Sequence, residues 1–306
     1  MSVGLNFAQQ EAVNFLQGPC LVLAGAGSGK TRVITHKIGR LIQVGCDPQR
    51  IAAITFTNKA AAEMRERAKH LIGKAAYEVM ICTFHALGVR MLRQNGTAVG
   101  LKPHFTIMDS ADVTSILKDA GGTTDSATAR QWQWTISLWK NMGLNAEQAL
   151  NLAKDDNERT IAKIMARYEE RLSAYQSVDF DDLIGLPIQL LQHHADVREK
   201  WQAQLAHVLV DEYQDTNATQ YELLKCLVGE KALFTAVGDD DQSIYGWRGA
   251  TLDNLRRLPQ DFPALKVIKL EQNYRSTSAI LRAANQVIAA NPKLFPKTLF
   301  SELGEG

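Results

Sequence analysis

The stretch LVLAGAGSGKTRV, Leu21 to Val33, constrains the fold more than any other part of the chain. It is an apolar run, a turn with glycine at 25, 27 and 29, and the opening of a helical pattern. A strand, a glycine-rich turn and a helix start in that order turn backbone N–H groups inward on a polyphosphate. Ala26, Gly27, Ser28 and Gly29 are then the cradle, Lys30 reaches the β- and γ-phosphates, and the Thr31 hydroxyl ligates Mg²⁺. The first position of the G-x-x-x-x-G-K-[ST] pattern is Ala24 instead of glycine, which a turn preceded by a strand tolerates. A loop that merely happened to be glycine-rich would need neither the apolar run before it nor the helical period after it.

Short β-rich runs at Cys20–Ala24, Ile51–Thr55 and Val79–Thr83 alternate with helical patterns over Lys30–Gln43, Lys59–Ile72 and Phe84–Gln94. That alternation predicts an α/β fold on a parallel sheet. Between about 86 and 203 helix-period segments follow one another without a convincing strand, which predicts an all-helical insertion. Strand–helix alternation resumes with His207–Val210, Leu233–Val237 and Lys266–Leu270, so the first domain is discontinuous in sequence. Trp132, Trp134 and Trp139 read as core of the insertion, and Tyr168 and Tyr175 as one buried stripe. Arg65, Arg67 and Lys69 read as a solvated helix face.

With 306 residues, 45% of them hydrophobic, the chain is long enough for two domains or one large one. A formal net charge of +1 excludes a strongly basic arm, so any nucleic-acid contact has to come from a local patch. Cysteines 20, 46, 82 and 226 form no C-x-x-C pair, which implies reduced, mostly buried thiols and no zinc site. The amino terminus lacks a secretory pattern and no run approaches the roughly 18–20 apolar residues of a membrane span, so a cytoplasmic, membrane-free location is expected.

The run VLVDEYQDTN ends a strand with acids, at the carboxyl edge where α/β folds bind ligands. Asp211 is the candidate to hold Mg²⁺, directly or through water, and Glu212 the candidate base that polarises an attacking water. Asp215 either orients this shell or belongs to the N-cap region of the helix beginning near Thr216. In VGDDDQSIYGWRGA, Val237 to Ala250, Gln242 has the reach to contact a γ-phosphate or position the water. Tyr245, Trp247 and Arg248 combine aromatic faces with a cation, the combination that stacks bases and holds a single-strand backbone. For Trp247 alone, a core position is the competing assignment.

Seven segments in order carry a family resemblance: LNFAQQEA at 5–12, AGAGSGKT at 24–31, TFTNKAAAEM at 55–64, TFHALG at 83–88, DEYQD at 211–215, VGDDDQSIYGWRGA at 237–250 and QNYRS at 272–276. Over essentially its whole length the chain resembles the amino-terminal half of a superfamily 1 DNA helicase of the Rep/UvrD group. The resemblance implies a RecA-like P-loop NTPase sheet, with ATP and Mg²⁺ as cofactors. It implies that Gln9 reads the adenine edge, that Arg32 and Tyr274 flank the adenine ring, and that Arg275 reaches the γ-phosphate from the far side of the cleft. A glutamine amide suits adenine because it can pair with both N6 and N7. Phe56, Thr57, Asn58, Thr83 and His85 are implied to line a single-stranded DNA track with Tyr245, Trp247 and Arg248. Taken singly, Phe56 also fits a core position and His85 a helix start.

By the same resemblance, residues 1–85 and 204–273 form the ATP-binding domain, 86–203 the helical insertion, and 274–306 the start of a second RecA-like domain. The expected activity is ATP-driven 3′-to-5′ translocation on single-stranded DNA and unwinding at duplex junctions, with the 306 residues a fragment lacking most of the second motor domain. The competing expectations are a nucleotide-gated single-stranded DNA-binding module without autonomous helicase activity, and an interaction protein whose insertion docks on a replication or repair partner.

Overall fold

The computed structural model of the chain describes residues 4–291 and 294–305, apart from the side chain of Arg248. Among them are eight strands: β1 (Cys20–Ala24), β2 (Ile51–Thr55), β3 (Met80–Thr83), β4 (Thr106–Ile107), β5 (Ser177–Val178), β6 (His207–Val210), β7 (Phe234–Gly238) and β8 (Lys266–Leu270). The chain divides into two compact units, one of 1–83, 200–216 and 227–306, the other of 84–199 and 217–226.

The first unit is built on a six-stranded sheet in the order β3-β2-β6-β7-β1-β8, parallel throughout. Strands β1, β2, β6 and β7 are buried at every position, as a parallel sheet covered on both faces requires. Edge strand β8 instead alternates, with Lys266 and Lys269 exposed and Ile268 and Leu270 buried. Charged residues on an edge discourage pairing with another chain. The helices Phe7–Asn14, Lys30–Gln43 and Asn58–Ile72 cover one face of the sheet through Val33, Ile34, Ile38, Ala61 and Met64. One cation is buried in that layer: Lys37 donates to the Ala12 carbonyl oxygen at 2.9 Å, and burial lowers its pKa to about 8. The segment after β8 stays in this unit, with helix Ser278–Ile288 followed by a stretch whose Phe300 pairs with Gln272 in a parallel bridge.

The second unit is helical apart from β4 and β5, whose two-residue parallel pairing is too short to leave a periodicity in sequence. Its core gathers Leu117, Ile136, Trp139, Ile161, Met165 and Tyr168. Helices Phe84–Asn95 and Asp182–His193 approach so closely that a Cβ on Gly88 would lie 1.7 Å from the Leu183 carbonyl oxygen. Beside this core Lys140 is buried between Asp179 and Asp182, 2.6 Å from each, and Tyr168 donates its hydroxyl to Asp179 at 2.9 Å.

Several sequence expectations are corrected here. Trp134 and Tyr175 are exposed, because mixed spacing and a position at the helix end turn them away from the face that buries Trp139 and Tyr168. Arg65 is tied down, donating to the Ile81 carbonyl oxygen at 2.6 Å, whereas Arg67 and Lys69 are solvated as expected. Only Cys20 is fully buried; the other three thiols are half-buried. The helix after Asp215 is Ala218–Val228, and its cap is Asn217, which exchanges side-chain and backbone bonds with Gln220. Among the described residues no helix is long and apolar enough to cross a membrane.

Candidate functional site

All six strands of the large sheet end on one edge, and the sequence-predicted nucleotide residues follow those ends. β1 runs into Gly25–Gly29, with β7 on one side and β8 on the other. Gly27 and Gly29 adopt φ of 71° and 87°, the left-handed region that glycine enters at no steric cost. Ser28 closes the turn, its backbone N–H and its hydroxyl both donating to the Gly25 carbonyl oxygen at 3.2 and 2.7 Å. Helix Lys30–Gln43 begins directly after Gly29 with no side chain capping its first turn, which leaves a helix N-terminus of the kind that binds anions.

Lys30 is where three separate segments meet. Its Nζ donates to Glu212 Oε2 at 2.9 Å and to Gln242 Oε1 at 3.3 Å. Glu212 stands one residue beyond Asp211 at the end of β6, in a left-handed conformation with φ of 46° that is costly for a side chain this size. That turn lets its backbone N–H donate to Asp211 Oδ1 at 2.9 Å while its carboxylate faces Lys30. Gln214 braces the arrangement, donating from Nε2 to Glu212 Oε2 at 2.9 Å and accepting the Asp239 N–H on Oε1 at 3.0 Å. Gln242 is held by a 2.5 Å bond from its Nε2 to Asp239 Oδ2.

Asp211 is buried, and its pKa is pushed up to about 6, first by that burial and then by the neighbouring Glu212 charge. A carboxylate in this position gains from a cation, so the donor chemistry of Asp211 and the half-buried Thr31 hydroxyl fits Mg²⁺. Asp239, Asp240 and Asp241 also bring three carboxylates within 4.8 Å of one another, but Lys297 already places its ammonium among them.

The residues expected around the adenine are partly engaged elsewhere. Gln9 is buried; its Oε1 accepts the Asn6 N–H at 3.0 Å and its Nε2 donates to the Ser28 carbonyl oxygen at 2.9 Å, tying the first helix to the glycine turn. Arg32 and Tyr274 are exposed. The Tyr274 hydroxyl accepts from Asn6 Nδ2 at 2.8 Å and donates to Gln272 Oε1 at 3.0 Å. Asn273, not singled out from sequence, fastens the segment after β8 over the turn. Its Nδ2 reaches the Ala26 carbonyl oxygen at 2.5 Å, and its Oδ1 accepts the N–H groups of Arg275 and Ser276, each at 2.7 Å. The Tyr274 N–H adds a 2.9 Å bond to the Gly27 carbonyl oxygen. The exposed Arg275 thus starts from a backbone fixed to the cradle.

Of the residues expected on a DNA track, Phe56 is half-buried, Thr57 and Asn58 are exposed and Thr83 is buried. The Thr57 hydroxyl is partly committed, capping helix Asn58–Ile72 by accepting the Ala60 N–H at 3.0 Å. Tyr245 and Trp247 are exposed aromatics with ring centroids 6.5 Å apart, so the core assignment for Trp247 is set aside. The Arg248 side chain lies outside what the structure describes. In the second unit His85 stacks on Phe180 at 4.1 Å, and burial lowers the imidazole pKa to about 4, which keeps it neutral. Phe180 is 58% exposed, and sequence reasoning passed over it because one aromatic among acids carries no periodic signal.

A parallel sheet whose strand ends deliver a glycine cradle with its lysine, an acid pair and a glutamine to one place defines a P-loop nucleotide-binding domain. Residues 5–263 match the family described as UvrD/REP helicase N-terminal domain, and the chain belongs to that family. It is 54% identical to the ATP-dependent DNA helicases Rep of Salmonella typhimurium and Escherichia coli, and 45% identical to the ATP-dependent DNA helicase PcrA of Leuconostoc citreum. Each alignment covers 99% of this chain but 46%, 46% and 41% of the respective relative, so the chain spans about half the length of the relatives it matches.

Proposed function

We propose that this chain is the amino-terminal motor half of an ATP-dependent DNA helicase, which binds Mg·ATP and couples its hydrolysis to 3′-to-5′ movement along single-stranded DNA and to opening of duplex junctions. The observation that carries this is the Lys30 ammonium held 2.9 Å from Glu212 and 3.3 Å from Gln242, since cradle lysine, base and γ-phosphate sensor must share one reacting centre. When a polyphosphate occupies the glycine turn, Lys30 exchanges Glu212 for phosphate oxygens, and the released carboxylate takes a proton from the attacking water. Gln242 then offers its amide to that water or to the γ-phosphate, and Arg275 stabilises charge on the transferring group. Thr31 and Asp211 would hold Mg²⁺, which when bound neutralises charge on the β- and γ-phosphates.

The adenine is assigned to Arg32 and Tyr274, with Gln9 reading its edge once the amide gives up the Ser28 carbonyl. Single-stranded DNA is assigned to Phe56, Thr57, Asn58, Thr83, Tyr245, Trp247 and Arg248, and separately to His85. Residues 274–306 open the second RecA-like domain in this scheme. A cytoplasmic location and replication or repair partners are part of the same proposal.

The test is steady-state ATP hydrolysis with Mg²⁺, with and without single-stranded DNA, in the wild-type chain and in Glu212→Gln. The glutamine still accepts from Lys30 but cannot take a proton, so turnover should fall by about 10²–10⁴-fold with nucleotide affinity retained. Loss of binding together with turnover would count against Glu212 as the base. Nucleotide and DNA binding without turnover in the wild-type chain would favour the DNA-binding module instead.

A further inference from the structure

We propose that Lys297 is a positioning residue for ATP hydrolysis: its buried ammonium holds the Asp239–Asp241 triplet and through Asp239 orients the Gln242 amide, making the geometry of the γ-phosphate sensor depend on the segment that covers the glycine cradle. The proposal rests on the nucleotide role assigned to Gln242 above.

Lys297 comes from the stretch between helix Ser278–Ile288 and the end of the chain, where no sequence pattern marks it. Its side chain is 3% exposed, and its Nζ lies 2.9 Å from Asp239 Oδ1 and 2.7 Å from Asp241 Oδ2, with a third bond to Asp240 Oδ1. Burial alone would drive the proton off; the hydrogen bonds to Asp240, Asp241 and Asp239 override it and hold the amine protonated well above its ordinary range. A buried ammonium costs much free energy unless it is paired and hydrogen-bonded, so three carboxylates around one lysine make a rigid unit.

That unit reaches the nucleotide site through one side chain. The two oxygens of Asp239 are divided, Oδ1 to Lys297 and Oδ2 to Gln242 Nε2 at 2.5 Å, while the Asp239 N–H is bound by Gln214, which also braces Glu212. Remove the ammonium and the three carboxylates repel one another, while Asp239 Oδ1 keeps only the Asp241 N–H at 3.1 Å. Gln242 then loses the acceptor that sets the direction of its amide. On the other side, Lys297 lies two residues from Leu299, whose Cδ2 would sit 2.2 Å from a Cβ on Gly25, and three from Phe300, which accepts the Asn273 N–H at 2.8 Å. Lys269 anchors the neighbouring Pro296 carbonyl oxygen at 2.6 Å. One short segment therefore covers the cradle and grips the sensor loop at once.

The experiment is a double-mutant cycle in the full protein that carries these residues. Lys297→Met and Lys297→Arg are each made alone and with Gln242→Ala, and kcat and KM for DNA-stimulated ATP hydrolysis are measured beside the affinity for a fluorescent ATP analogue. Lys297→Met should lower kcat by about tenfold or more with KM and analogue affinity nearly unchanged, and Lys297→Arg should recover part of the loss. On top of Gln242→Ala the same substitution should cost little, because the group it orients is gone. An equal fold-loss in both backgrounds, or a loss confined to KM, would overturn the proposal. If Gln242→Ala alone leaves kcat unchanged, the nucleotide role of Gln242 fails first and the proposed route fails with it, an outcome distinct from additivity. Should Lys297→Met not fold by circular dichroism, Lys297→Arg, which keeps the charge but not the compact ammonium, carries the same cycle.

Discussion

Replacing Gly27 by alanine tests how the glycine cradle and the segment above it depend on one another. At φ of 71°, alanine pays about 1–2 kcal/mol for the left-handed conformation. Its Cβ would also lie 2.6 Å from Asn273 Nδ2 and 2.9 Å from Arg275 Cβ, so the segment that carries Tyr274 and Arg275 has to lift. Overpacking of this kind costs about 1–3 kcal/mol. Gly45 is the control: its φ is 94° and nothing lies within 4 Å of its would-be Cβ, so Gly45→Ala pays the backbone term alone. Both variants should lower stability in urea melts, but only Gly27→Ala should also weaken nucleotide binding. If the 1–3 kcal/mol of contact strain is borne by residues 273–275, titration with a fluorescent ATP analogue should show a loss of roughly 5- to 150-fold. Equal nucleotide affinity in the two variants would refute the claim that the segment after β8 is part of the site.

Three further outcomes are expected. Gly88→Ala should destabilise the helical unit by about 2 kcal/mol or more despite alanine's better helix propensity, because its Cβ meets backbone 1.7 Å away that cannot turn aside; a melt equal to wild type would contradict this packing. Trp247→Ala should weaken single-stranded oligonucleotide binding by about 1–3 kcal/mol without altering the melt, read by fluorescence anisotropy, and unchanged affinity would remove Trp247 from the DNA face. Lys37 has its pKa lowered to about 8 by burial, against about 10.4 in an unfolded chain, so between those values the unfolded state binds more protons and stability must rise with pH. The cost of burying the charge is present in full below pH 8 and relieved towards pH 10, worth roughly 3 kcal/mol at most. Wild type should therefore gain on Lys37→Met across that window in urea melts, and parallel curves would show the lysine to be unperturbed.

Much of the candidate site was legible because its parts are local. Gly25–Thr31 and Asp211–Glu212 each follow an apolar strand at once and Gln242 comes just after the acids that follow β7, and that placement signals the ligand edge of a parallel sheet. Trp134 was misplaced because its spacing from Trp139 puts it on another helix face, and Tyr175 because helical spacing marks a face without saying how far along the helix its partner extends. The pairing of β4 with β5 escaped because two residues cannot show a period. Phe180 and Lys297 carried no pattern at all.

The sequence by itself determined the alternation of strands and helices, the glycine turn, and the chemistry that can act beyond the strand ends. Those depend on which faces are apolar and on which φ a residue tolerates, properties that each segment holds alone. Only the tertiary structure decided that Lys30 meets Glu212, 182 positions away, and Gln242, 212 away. It also decided that Gln9 spends its amide on the glycine turn and that Lys297 sits among Asp239, Asp240 and Asp241. Contacts of that range are set by strand order and close packing around one core, and a buried charge finds its partners only after the chain has brought its far segments together.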